Sequence, residues 1–368
     1  MSVAPGMLRH LRQLYVAGVF AAASLGASAA PAADSSDDLD ARLVARALEL
    51  LDSYYVEPDK VDGVRARLEA GVTSGRYAGL GADELVERLN EDLLAATSDK
   101  HVYVRHDPRA YDALIEDEDE NENENDDGDA ARAAYFAELA RTSNHGLVEM
   151  KVLPGNVRYL EIRTFFWDDA LSPAAYESAM RFLAGGDALI IDLRRNGGGS
   201  MQAVNHLASH FLEPGTELMT FDMGPEGVQE SVVERVPPAG RIDDKPLFVL
   251  VSGRTGSAAE EASMHFKHFG LATLVGTTSA GAGNRNGIFP LLEGFTLSVS
   301  TGRAIHAVTG TGWEGSGVAP DVETPVEDAL VTAQRLALET LIERFPAERY
   351  PARAEAYRKE LAELEADD

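Results

Sequence analysis

Ala188-Leu-Ile-Ile-Asp-Leu-Arg-Arg-Asn-Gly-Gly-Gly-Ser200 carries the reading of the fold. Its first six residues form a nearly continuous apolar run rather than an alternating one, the pattern of a strand covered on both faces. The glycines Gly197, Gly198 and Gly199 after Asn196 permit a tight turn, and a helical pattern follows from about Ser200 to Leu212. The same order recurs downstream. Pro246-Leu-Phe-Val-Leu-Val251 predicts a second buried strand, residues from about Ala258 to Phe269 a helix, and Leu271–Val275 a third strand. Upstream, Val157–Ile162 alternates as a strand does. Such strand–turn–helix–strand units predict an α/β fold with a parallel-sheet core. In these folds chemistry gathers where strand C-termini meet helix N-termini, and both turns lie at such junctions.

Working outward, residues 34–97 read as a small N-terminal helical bundle. Leu43, Ala47, Leu50, Leu51 and Tyr54 recur at helical spacing, as do Val64, Leu68 and Val72, then Leu85, Leu89 and Leu93. Pro58 and the Gly75–Gly81 stretch divide the three segments. The α/β core is expected over residues 98–327, and a C-terminal helical segment over 328–368. Within the core, residues 116–129 contain ten acids, Asn and one Gly, but no apolar residue. Like charges at this density repel, which predicts a disordered surface insertion. The run lacks the spaced ligands and positioned glycine of a calcium loop.

The first residues read as an export signal. Arg9 and Arg12 precede a mostly apolar run from Leu14 to Leu25, and Ala27-Ser28-Ala29 and Ala30-Pro31-Ala32 offer cleavage sites. The run falls short of the about 20 residues of a spanning helix, although an uncleaved anchor is the alternative. Cleavage after residue 29 predicts a periplasmic or secreted protein with no stable membrane anchor.

The 368 residues leave room for about two domains of roughly 150 each, and 45% hydrophobic content fills a core. A net charge of -28 makes nucleic acid an improbable partner, because such a surface repels phosphate backbones. The chain has no cysteine, which excludes disulfides, thiol nucleophiles and thiolate metal sites. Neither a Walker loop nor a G-x-G-x-x-G pattern is present.

Ser257 sits between the strand ending near Val251 and the helix beginning near Ala258. A serine projecting there would be flanked by free backbone N–H groups and by the helix dipole. Ser257-Ala-Ala-Glu260 is equally a capping box, so a structural cap and a nucleophile both stand. A serine nucleophile needs a base. His101, in Ser98-Asp99-Lys100-His101 before the alternating Val102-Tyr103-Val104, is one candidate. His265 and His268 follow Ser257 on its helix. His206 and His210 have metal-compatible spacing, but no H-E-x-x-H pattern accompanies them, and they read as a helix face. His106, His145 and His306 have no distinguishing context. The triple glycine can form an anion nest, and Trp313-Glu-Gly315 lies in a glycine-rich loop.

Taken in order, Asp192-Leu-Arg-Arg-Asn-Gly-Gly-Gly199, Thr255-Gly-Ser-Ala-Ala-Glu-Glu261, Val275-Gly-Thr-Thr-Ser-Ala-Gly281 and Trp313-Glu-Gly-Ser-Gly-Val-Ala-Pro-Asp321 resemble the C-terminal processing (tail-specific) serine peptidases. The closer likeness is to the branch containing interphotoreceptor retinoid-binding protein and the tricorn core. It covers roughly residues 40–327 apart from the acidic run. The resemblance implies a crotonase-like core built of ββα repeats. It implies Ser257 as nucleophile, with Ala258 and Gly198, or Gly197, as oxyanion-hole donors. The lysine of the Ser–Lys branch is absent, since its position holds Ala282. The tricorn-like solution implies His101 as base and Glu314 as its partner, with Lys100 where that pattern has serine. No PDZ-like module is visible between His101 and Gly146. The expected function is a serine peptidase acting on exported proteins or peptides, with no metal or organic cofactor. The alternative is an inactive relative that binds a fatty acid or retinoid-like ligand.

Overall fold

The computed structural model describes residues 39–120, 134, 137–224 and 227–367. The expected signal segment and residues 121–129 of the acidic run lie outside them. The buried run at 188 becomes the centre of a six-stranded sheet. Its order is β11 (Val322–Glu323), β8 (Thr273–Gly276), β7 (Leu247–Val251), β4 (Ala188–Asp192), β3 (Val157–Ile162), β2 (Leu147–Leu153). All neighbours are parallel except the β2–β3 pair.

The continuous apolar run follows from the two faces of this sheet. Leu189 and Ile191 face the helices Ser172–Ala184, Met201–Ser209 and Ala258–His268, packing with Met180, Leu183, Val204, Leu207 and Ala262. Ala188 and Ile190 face the other way, onto Ala333, Ala337 and Leu341 of the C-terminal helix Ala329–Arg344. Leu189, Ile190 and Ile191 are completely buried, each contributing about 1.5–3 kcal/mol of transfer free energy. A second helix, Pro351–Asp367, completes the C-terminal segment.

A second, antiparallel sheet is the part of the fold that the sequence reading did not anticipate. The 12-residue strand β10 (Phe295–His306) pairs with β1 (Tyr103–His106), β5 (Glu217–Asp222) and β9 (Arg285–Pro290), and β5 pairs with β6 (Val228–Val232). The N-terminal helices Leu39–Tyr54, Val61–Thr73 and Ala82–Thr97 close over it. Their Leu51, Val64, Leu68 and Leu93 share one core with Val104, Phe295, Leu297 and Val299. The bundle is tied internally at buried Asp92, which accepts from Tyr77 Oη, Arg67 Nε and Arg76 Nε, each at 2.7 Å.

The acidic run corrects one expectation. The helix Pro108–Glu120 extends into its first five residues instead of stopping before them. Asp107 caps the start by accepting the Ala110 N–H at 3.1 Å, and proline suits a first helical position. Glutamate is itself a good helix former, so charge alone does not end the helix there.

Candidate active site

Two turns at the C-terminal edge of the parallel sheet are locked together. After β7, Ser252 Oγ donates to the Arg194 carbonyl at 2.6 Å, and Thr255 Oγ1 donates to the Leu193 carbonyl at 2.8 Å. The Gly256 N–H donates to the Asn196 carbonyl at 3.0 Å. Asp192, at the end of β4, accepts from Tyr159 Oη at 2.8 Å and grips Arg194, whose Nη1 donates to the Val326 carbonyl. The motif residues Asp192, Arg194 and Thr255 thus build the platform.

Ser257 is held on that platform with φ 52° and ψ -123°, a backbone state that side-chain-bearing residues rarely adopt. Such a state costs about 1–3 kcal/mol and survives only where its surroundings over-determine it. Ser257 and Glu260 face each other in a capping box, in which Glu260 Oε2 accepts the Ser257 N–H at 2.9 Å. The Glu260 N–H donates to the Ser257 carbonyl at 2.8 Å, so the half-buried hydroxyl occupies the capping-box position without taking a full hydrogen bond from the helix. Capping at this helix therefore runs through Glu260, and the hydroxyl stays available.

The Ala258 N–H, first in its helix, has no acceptor among the described residues. Facing it is the glycine turn. A Cβ on Gly198 would stand 2.7 Å from Ser257 Cβ and 3.2 Å from the Ala258 nitrogen, at a φ of 115°. Only glycine fits. The Gly198 N–H, one of the expected oxyanion donors, is bonded to Asn196 Oδ1 at 2.8 Å. The asparagine folds back over its own turn, as Asx turns do, and takes that proton. The N–H groups of Gly197 and Gly199 have no acceptor among the described residues. Gly198→Ala is expected to lower stability by about 2 kcal/mol in urea unfolding, through positive-φ strain and overpacking against Ser257.

His101 and Glu314 come together from distant stretches of chain. His101 is 6% exposed, and its backbone is pinned from both sides. Its N–H donates to Asp99 Oδ1 at 2.8 Å, and its carbonyl accepts from Ser298 Oγ at 2.5 Å. Ligand-type atoms of Asp99, His101 and Glu314 lie within 4.8 Å of one another. His101 Nδ1 and Glu314 Oε1 are both buried without hydrogen-bond partners. Burial lowers the His101 pKa against an opposing pull from Asp99. Burial, then the charge of Asp99, raises the Glu314 pKa. Asp99 is poorly placed as a metal ligand, since its oxygens already accept from the His101 N–H, Asn284 Nδ2 and Tyr55 Oη.

One loop joins the serine side to the histidine side. Glu260 Oε1 accepts from Ser279 Oγ at 2.5 Å and the Gly281 N–H at 2.6 Å, and its Oε2 accepts the Ala282 N–H at 2.8 Å. The next two N–H groups, of Gly283 and Asn284, donate to Glu314 Oε2 at 2.6 and 2.9 Å. The loop lies flat against residues 313–318, where a Cβ on Gly283 would stand 2.5 Å from the Glu314 nitrogen. Lys100 Nζ donates to the Ala280 carbonyl, so this lysine braces the loop rather than the imidazole. Sequence reasoning had missed Glu260 as the hub of this network. Its place at the third helical position of Ser257-Ala-Ala-Glu260 was the available signal.

The remaining histidines engage other partners. His145 Nδ1 lies 2.7 Å from Ser172 Oγ, and His106 packs on the Phe295 ring. His265 and His268 lie beside His306, with ring centroids 5.2 and 5.6 Å away.

Two family models match successive stretches of the chain. Residues 156–324 match the model of peptidase family S41, and residues 40–142 match that of the N-terminal domain of this family in eukaryotic IRBP. The carboxy-terminal-processing protease of Bartonella bacilliformis is 31% identical over 143 residues, which is 38% of this chain and 32% of that protein. The carboxyl-terminal-processing protease of Synechocystis sp. is 34% identical over 119 residues, 32% of this chain and 27% of that one. The chain thus spans about a third of the length of these curated relatives. Among solved structures, a lipoprotein from Streptococcus agalactiae superposes with a TM-score of 0.54 at 18% identity, covering 86% of this chain and 100% of that one. At that identity the likeness concerns the fold.

Proposed function

Because the chain belongs to peptidase family S41, we propose that it is a serine peptidase in which Ser257, His101 and Glu314 act together on peptide bonds. The observation that carries this reading is the strained Ser257 beside the free Ala258 N–H at a helix N-terminus. In the proposed reaction His101 takes the Ser257 proton as the oxygen attacks a peptide carbonyl. The Ala258 N–H, with Gly197 or Gly199, stabilises the oxyanion, each donor contributing about 3 kcal/mol. The imidazolium then protonates the leaving amine, and water releases the acyl group by the reverse sequence. Glu314 fixes the imidazole orientation and stabilises its charged form. The substrates are taken to be unstructured segments of exported proteins or peptides, a reading that rests on the expected export signal in the sequence. Among the described residues no helix is long and apolar enough to cross a membrane.

The test is hydrolysis of an unstructured peptide by the purified chain. A chain without hydrolysis that binds a fluorescent fatty acid or retinoid equally well after Ser257→Ala would be a carrier instead. Glu314→Gln keeps an acceptor for the Gly283 and Asn284 N–H groups but removes the charge facing the imidazole. Steady-state kinetics should show kcat reduced by roughly 10⁴, the scale seen when a triad carboxylate becomes an amide. A reduction below tenfold would remove Glu314 from the mechanism.

A further inference from the structure

Outside the proposed catalytic group, one set of buried side chains has no use in that mechanism. Glu177 lies on the helix Ser172–Ala184, His206 on the helix Met201–Ser209, and His210 at the latter's C-cap. Glu177 Oε1 stands 3.8 Å from His206 Nε2 and 3.8 Å from His210 Nε2, and all three ligand atoms fit within 4.8 Å of one another. Each of these atoms is buried, and none has a hydrogen-bond partner. The side chains of Glu177 and His210 are 7% and 0% exposed.

The tautomer of one of these rings is fixed by its other nitrogen. His210 Nδ1 lies 3.1 Å from the Gly240 carbonyl, a contact that requires an N–H. In the neutral ring His210 Nε2 therefore presents a lone pair to a carboxylate oxygen. Arg181 Nη2 lies 3.4 Å from Glu177 Oε2, the other carboxylate oxygen, leaving Oε1 as a single donor. The His210 lone pair, His206 Nε2 and Glu177 Oε1 thus converge on one buried point without hydrogen-bond partners, a donor set that a cation would satisfy.

We propose that Glu177, His206 and His210 bind one divalent transition-metal ion, with zinc the best match to two imidazoles and a carboxylate. Metal–ligand distances of about 2.0–2.2 Å in a tetrahedron place the ligand atoms roughly 3.4 Å apart, so the 3.8 Å edges need only a small closure. The Gly240 carbonyl fixes the His210 tautomer, as outer partners of metal-bound histidines do. His206 is the most exposed of the three side chains, at 17%. The ion would clamp the helix Ser172–Ala184 to the helix Met201–Ser209. The latter is capped by Ser200, directly after the glycine turn that faces Ser257. Its role is that of a staple behind the platform.

The test uses untagged full-length chain, stripped with a chelator and titrated with Co²⁺ as the spectroscopic probe. One equivalent should bind with visible d–d absorption, Zn²⁺ should displace it, and Zn²⁺ should raise Tm. Glu177→Gln and His206→Gln should each weaken Co²⁺ binding at least ~100-fold and abolish the Zn²⁺-dependent rise in Tm. Circular dichroism of the stripped variants checks that they fold, and partly exposed His206 is the gentler substitution. His268→Gln, on another helix, should change neither readout. Absence of uptake by stripped wild type, uptake undiminished in both ligand variants, or uptake lost in His268→Gln would each overturn the assignment.

Discussion

Ser257→Ala is expected to lower kcat for peptide hydrolysis by on the order of 10⁴–10⁶ while leaving the unfolding midpoint close to that of the parent chain. The first half follows from removing the attacking oxygen. Residual turnover then reflects only the oxyanion donors and substrate positioning. The second half follows from the Glu260 N–H donating to the Ser257 carbonyl rather than fully to its hydroxyl, so the substitution leaves the main capping bonds in place. Alanine inherits the same φ of 52° and Glu260 still accepts the backbone N–H, so strain and capping are unchanged. A true cap serine behaves oppositely, losing about 1 kcal/mol of stability on truncation. One variant therefore separates the two roles. Retained activity with a lower midpoint would make Ser257 a cap.

His101→Ala should cost about as much in kcat, on the order of 10⁴–10⁶, and the double variant with Ser257→Ala should be no worse than either single one. Groups that act as one unit show this non-additivity, whereas independent contributions would multiply. The pH profile gives a second signature. Burial holds the imidazole below its ordinary value of 6.5, and a base must be unprotonated, so kcat/KM should fall on an acidic limb lying below 6.5. The same shift affects stability. Between the folded and unfolded pKa values the unfolded chain binds the extra proton, so stability rises with pH up to about 6.5 and falls on acidification. Buried His306, held to about 3, acts in the same direction. An acidic limb above 7, or multiplicative losses in the double variant, would show that another group is the base.

Much of the α/β core was legible because local pattern and burial agree there. The run Ala188–Asp192 is apolar throughout since helices cover both faces of β4, and β3, β7 and β8 lie within about two residues of their expected bounds. The antiparallel sheet was missed, although Phe295, Leu297 and Val299 alternate along β10. That period was available and went unread. The helix through Glu120 shows the converse, where composition suggested disorder and helix propensity prevailed.

By itself, the chain's order of residues determined the strand and helix units, the glycine turn and the position of Ser257 at a helix start. These depend on neighbours within a few residues. It could not decide whether that serine caps or attacks, because Ser257-Ala-Ala-Glu260 satisfies both patterns until the hydroxyl's own contacts are known. Nor could spacing bring His101 to Glu314, or Glu177 to His206 and His210. The first meeting depends on β1 pairing with β10 and on the loop that Glu260 and Glu314 grip from opposite ends. The second depends on two helices packing on one face of the sheet. Such contacts join side chains far apart along the polypeptide, and only the packed core fixes the distance between them.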